Sequence, residues 1–158
     1  MKIDNARRLD AQGHRSLALW AADCAEHVLS YFEEKYPDDN RPRNAIETGR
    51  AWVHGEIAVS EARAAAVAAH AAARDADEAA ARVAARAAGH AAATAHMPAH
   101  ACHAVAYAVK AVAYAVKAVA YAAAPSDDAA ATATEHDWQY QRLPEHLQPV
   151  VFPDRGND

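Results

Sequence analysis

Between His100 and Pro125 the chain reads HACHAVAYAVKAVAYAVKAVAYAAAP, in which the heptapeptide AYAVKAV occurs twice in succession, at Ala106–Val112 and Ala113–Val119. A seven-residue repeat is close to two helical turns, so each copy departs from register by only about 20°. Cys102, Val105, Val109, Val112, Val116 and Val119 then follow one another at alternating intervals of three and four, forming one continuous seam. On the opposite side His96, His100, His103, Tyr107, Lys110, Tyr114, Lys117 and Tyr121 keep the same rhythm. The pattern predicts one long helix with its valines toward a core. Its tyrosines and lysines lie over small alanines, facing solvent or a partner. Lys110 and Lys117 interrupt the apolar run, and alanine contributes little to insertion, so a membrane span is not expected.

The rest of the composition extends the helical reading. Alanine supplies about 30 % of the 158 residues, against five glycines. It has the highest helix propensity and loses no side-chain entropy on folding. An all-α fold with one core follows, its helices closely packed because few large side chains stand between them. The net charge of −5 speaks against a nucleic-acid binder, which needs a basic face, and suits a basic protein partner. Cys24 and Cys102 show no CxxC spacing and read as reduced, buried thiols inside helices. The opening MKIDNARRLDAQGHRS has no signal-peptide core, so the expected location is the cytoplasm.

Breakers and caps divide the chain into about six antiparallel helices, as a compact bundle or a short α-solenoid-like array. The first runs from near His14 to Tyr36, with Leu17, Ala21, Cys24, Val28 and Tyr31 as its apolar stripe. The second is capped by Asn40, carries Ile46, Gly49, Trp52 and Val53 inward, and ends near Gly55. The third opens at Ser60 and closes near Arg74; the fourth is capped by Asp77 and runs to about His96, before Pro98. The repeat helix ends at Ala124, and a sixth spans Asp127 to about Arg142. Pro144, Pro149 and Pro153 predict an extended tail that packs through Leu147, Val150, Val151 and Phe152. The expected division is an N-terminal segment 1–13, a helical domain 14–143 and a tail 144–158.

Two groups of residues are candidates for function. On the first helix Asp23, Glu26 and Glu33 share a face, and Asp38 and Asp39 follow in the loop, giving an acidic stripe for a basic partner. Asp23 and His27, four apart, are also a carboxylate–imidazole pair, although that spacing is common to ordinary helical pairs. The second group is the stripe Tyr107, Lys110, Tyr114 and Lys117. His96, His100 and His103 at its head have the spacing of a metal site, with His70 and His90 on neighbouring helices able to approach. A small-molecule site between alanine-rich helices, lined by Trp20, Trp52 and Tyr31, is the corresponding alternative. No nucleophile elbow or phosphate-cradling loop occurs, and no cofactor or enzymatic activity is expected.

LALWAADCAEHVLSYFEEKYPDDNRPRNAIETGRAWVHGEI, at 17–57, with ARAAGHAAATAHMPAH, at 85–100, and WQYQRLPEHLQPVVF, at 138–152, resembles the immunity-five-like immunity proteins of bacterial polymorphic toxin systems. The resemblance covers nearly the whole chain; the exact double AYAVKAV departs from it. It implies a small cytoplasmic helical protein that binds and neutralises a toxin. It carries no active site over. DCAEH, at 23–27, and YPDDNRPR, at 36–43, are its foremost candidate segments, because they combine charge, histidine and a fixed loop.

Overall fold

A computed structural model describes residues 9–123 and 128–153; the side chains at 116–123 and 128 lie outside that description. Among the described residues every regular element is a helix, and there is no sheet. The order is α1 (Ala11–His27), α2 (Ser30–Glu33), α3 (Arg41–His54), α4 (Val59–Asp75), α5 (Ala79–Ala93), α6 (His100–Ala123), α7 (Asp128–Arg142), a 3-10 turn (Glu145–Leu147) and α8 (Gln148–Val151).

The described helices thus number eight rather than six, the two additions being single turns. The first expected helix divides at Val28, although Val28, Leu29 and Phe32 are all buried. The amides of Val28 and Leu29 turn back to the carbonyls of Ala25 and Glu26, which re-phases the chain before α2 begins. As far as Pro153 the tail is also not extended, and residues 154–158 lie outside the described residues. Pro144 precedes the 3-10 turn and Pro149 stands in the first turn of α8, where a missing amide costs little. Leu147 and Val151 are buried there, and Phe152 packs against the core at its edge.

Local chemistry fixes the helix ends. Asp10 accepts a hydrogen bond from the Gly13 amide at 2.7 Å, so α1 starts ahead of His14. Asn40 holds the cap position of α3 without a side-chain bond; Asp39 Oδ1 takes the Arg41 amide instead, at 3.1 Å. Gly55 ends α3 with φ of 78°, a left-handed conformation that favours glycine. Helix α4 begins one residue before Ser60, where the Ala58 amide donates to the Glu61 carboxylate. Glu78, not Asp77, caps α5 by accepting from the Ala81 amide at 2.7 Å. Helix α5 stops at Ala93, three residues short of His96, and the hydroxyl of the buried Thr94 donates to the His90 carbonyl.

Helix α5 is the centre of the molecule: eleven of its fifteen residues are buried, and it packs against α1, α2, α3, α4 and α6. This differs from a solenoid, in which each repeat touches only its neighbours. Alanine permits the arrangement. Ala84, Ala85, Ala87 and Ala88 of α5 are all inaccessible, as are Ala101, Ala104, Val105, Ala108 and Ala111 of α6. The buried stripe of α6 is therefore mostly alanine; Val109 and Val112, expected at the core, are only half-buried. A stripe of methyl groups lets two backbones approach, whereas a valine seam would hold them apart. The large side chains concentrate elsewhere, with Leu17, Trp20, Leu29, Phe32 and Ile46 filling the core from α1, its following turn, α2 and α3.

Candidate functional site

The acidic stripe of α1 faces the arginines of α3. Arg50 Nη2 reaches Asp23 Oδ1 at 2.8 Å and Glu26 Oε2 at 2.6 Å. Arg43 pairs with Glu33 through two bonds, at 2.5 and 2.8 Å. Arg41 clamps Asp39 and extends to Asp75 at the end of α4, at 2.9 Å. These arginine pairs hold the Glu26 and Asp39 carboxyls below their usual range, through hydrogen bonding from Arg50 and Arg41 respectively. The stripe is thus a mosaic rather than a free negative surface. Asp38, Glu34 and Glu47 stand exposed around it, so carboxylates still outnumber guanidiniums. The paired side chains remain partly open to solvent, which makes each pair a weak stabiliser but leaves the face rigid and accessible.

His27 does not pair with Asp23. Its Nδ1 lies 3.0 Å from Oε2 of Glu135 on α7, a carboxylate only 4 % exposed. The imidazole stacks on Trp138 at 3.8 Å between centroids and 18° between planes, and Arg142 lies over the same indole. Glu135 also accepts from Gln139 Nε2 at 2.8 Å, and that amide reaches the Val105 carbonyl of α6. Burial, reinforced by the Glu135 and Asp23 carboxylates, pushes the neighbouring Cys24 thiol well up, so it stays neutral. Cys24 is buried, Cys102 is half-buried, and neither forms a disulfide.

The second group meets α4 and α5. His90 is its pivot: its ring packs edge-on to His70 at 4.7 Å, and stacks with His100, His103 and Tyr107 at 5.3, 5.1 and 5.3 Å. Its Nδ1 is 3.2 Å from Nδ1 of His100, and His96 closes on His100 from the loop. Gly89 makes room, since a Cβ there would stand 2.7 Å from the His70 ring. Burial, with its cationic neighbours, lowers His90 to about 3 and lowers His70 and His100 as well. Lys110 sits over the half-buried Tyr107, and Tyr114 is exposed. The side chain of Lys117 lies outside the described residues.

His70 and His90 do join His96, His100 and His103, but their rings pack on one another, stacked, tilted or edge-on, instead of converging on a point. Among the described residues no group of three or more His, Cys, Asp or Glu is arranged to hold a metal ion. The aromatic pocket does not form either: Trp20 is sealed in the core and bonded to the Gln139 carbonyl, while Trp52 packs at a tilt of 52° against His14. No described helix is long and apolar enough to cross a membrane.

Sequence reasoning missed Arg41, Arg43 and Arg50 as partners of the stripe, and Glu135 and Trp138 as partners of His27. Three arginines on the helix after an acidic one were a usable signal. Glu135, within TATEHDWQ, reads as surface, and nothing in its spacing marks it as buried.

Residues 7–146 match the model of a protein family described as "Imm-5 like putative immunity protein". No curated protein and no solved structure matches the chain.

Proposed function

Because the chain belongs to the Imm-5-like family of immunity proteins, we propose that it binds and neutralises a protein toxin in the bacterial cytoplasm, docking through the mosaic face of α1, α3 and the loop between α2 and α3. The family match over most of the chain carries the functional reading. It supports a binder rather than an enzyme. The choice of face rests on the pairs around Asp23, Glu26, Glu33 and Asp39, with Asp38 and His27 at their borders. Arginine side chains held by carboxylates lose little further freedom on binding, and complementary charge accelerates encounter and sets specificity. The toxin surface that fits carries alternating charge with a basic excess. Tyr107, Lys110, Tyr114 and Lys117 form a second, smaller contact region in this reading.

Protection is the direct test. Cells producing the toxin encoded beside this gene should survive when the protein is co-produced, and should die when its partner is the charge-reversed Glu26→Lys/Glu33→Lys double variant, with both proteins folded by circular dichroism. Equal killing with and without the wild-type protein would sink the immunity reading. Equal protection by the double variant would leave immunity standing and move the site elsewhere.

A further inference from the structure

The histidine cluster plays no part in the mosaic face, yet it brings together side chains from three elements and the loop between two of them. The groups facing one another are His70 and Arg74 of α4, Arg86 and His90 of α5, His96 of the connection, and His100, His103 and Tyr107 of α6, with Lys110 above Tyr107. No carboxylate is among the groups acting on His70, His90 or His100. The contact between Nδ1 of His90 and Nδ1 of His100 holds one proton: one nitrogen donates and the other accepts. A second proton there would set N–H against N–H. His70 Nδ1 is buried with no hydrogen-bond partner, so it too has nothing to stabilise an added charge.

We propose that this cluster is a proton-operated latch on the α5–α6 hairpin: protonation opens the 94–99 connection and the first two turns of α6 while the core around Trp20 stays closed. The end that opens is held to the core by the buried side chains of Ala101, Ala104 and Val105, two of them single methyl groups, by the Gln139 Nε2 bond to the Val105 carbonyl at 3.3 Å, and by His14 Nε2 of α1, 2.6 Å from the Thr94 carbonyl. The core of α1 to α3 keeps Leu17, Trp20, Phe32 and Ile46. Opening also releases Tyr107 from its stack on His90, so a proton signal would reach the second contact region of the proposed function. That consequence rests on the toxin-binding reading; the latch itself does not.

In the closed form His90 titrates at about 3, against 6.5 when free, so near pH 5 the closed form is unprotonated there and the open form is protonated. Opening is therefore favoured as pH falls through 6.5 and is resisted above it. His90 alone raises the opening constant about 30-fold between pH 7.5 and pH 5, and His70 and His100 act in the same direction.

Native-state hydrogen exchange by NMR tests this on the purified full chain, with EDTA present and rates corrected for intrinsic pH dependence. Amides at 100–107 should show an opening constant at least about 30-fold larger at pH 5 than at pH 7.5, while exchanging faster than those at 17–25 throughout. His90→Gln should remove most of that rise. Should this variant fail to fold, His100→Gln, which deletes the partner of the Nδ1 contact, should still reduce it. An opening constant independent of pH, or exchange of both segments in one common unfolding event, would overturn the latch.

Discussion

Replacing Trp20 by alanine should lower stability by about 4–8 kcal/mol. Truncating a buried tryptophan costs about 3–5 kcal/mol through lost transfer energy and the cavity left behind. Trp20 adds a second loss. Its indole N–H donates at 2.8 Å to the carbonyl of Gln139, in the final turn of α7, where the Leu143 amide turns to Tyr140. Without the indole that buried carbonyl loses its donor, at about 1–3 kcal/mol. In a core whose helices meet largely through methyl groups, few other side chains span α1 and α7, so little can shift to fill the space. Trp20→Phe separates the two contributions: it keeps most of the apolar area and should cost about 1–2 kcal/mol. Urea denaturation followed by circular dichroism measures both, and a loss under about 2 kcal/mol for Trp20→Ala would contradict the packing described.

Glu135→Ala should cost about 2–4 kcal/mol, and most of that cost should vanish in Glu135→Gln. Removing one member of a buried charged pair commonly costs about 3–5 kcal/mol, because the survivor is stranded. Here one survivor, His27, is close to half-exposed and can turn to water, which lowers the figure. The other, Gln139, is fully buried; its Nε2 would keep only the 3.3 Å bond to the Val105 carbonyl, and its Oε1 is already without a partner. Glutamine at 135 still offers a carbonyl to one of them. The same comparison bears on His27: loss of the Glu135 acceptor should free the ring from its stack on Trp138, seen as a change in Trp138 indole chemical shift. Equal stability of the alanine variant and the wild type would mean that Glu135 orients nothing.

The sequence made the helices legible because caps and breakers act locally. Pro98, Gly55 and the loop at 36–40 each ended a helix within a few residues of the expected place. The split at Val28 was less legible, since neither glycine nor proline marks it and it shows only in the amides of Val28 and Leu29, which turn back to Ala25 and Glu26. The valine seam of α6 misled for another reason: hydropathy ranks valine above alanine, yet where two backbones come close the smaller side chain takes the interface. Of the candidate residues, the acidic stripe was visible as a set, while its neutralisation by Arg41, Arg43 and Arg50 depended on how α3 crosses α1. The histidine group was foreseen including His70 and His90, but ring stacking rather than convergence is a matter of crossing angle and side-chain rotamer that spacing does not encode. His27 was assigned to Asp23 on the i, i+4 rule; a carboxylate 108 positions away in sequence competed for it and won.

Titration calorimetry with the purified toxin domain separates toxin contact through the mosaic face from contact through the α6 stripe. Glu26→Lys with Glu33→Lys should weaken binding by at least about a hundredfold and flatten its salt dependence, while Tyr107→Ala with Lys110→Ala should cost about tenfold or less. An unchanged affinity for the first pair, with binding lost in the second, would contradict the account and place the contact on α6.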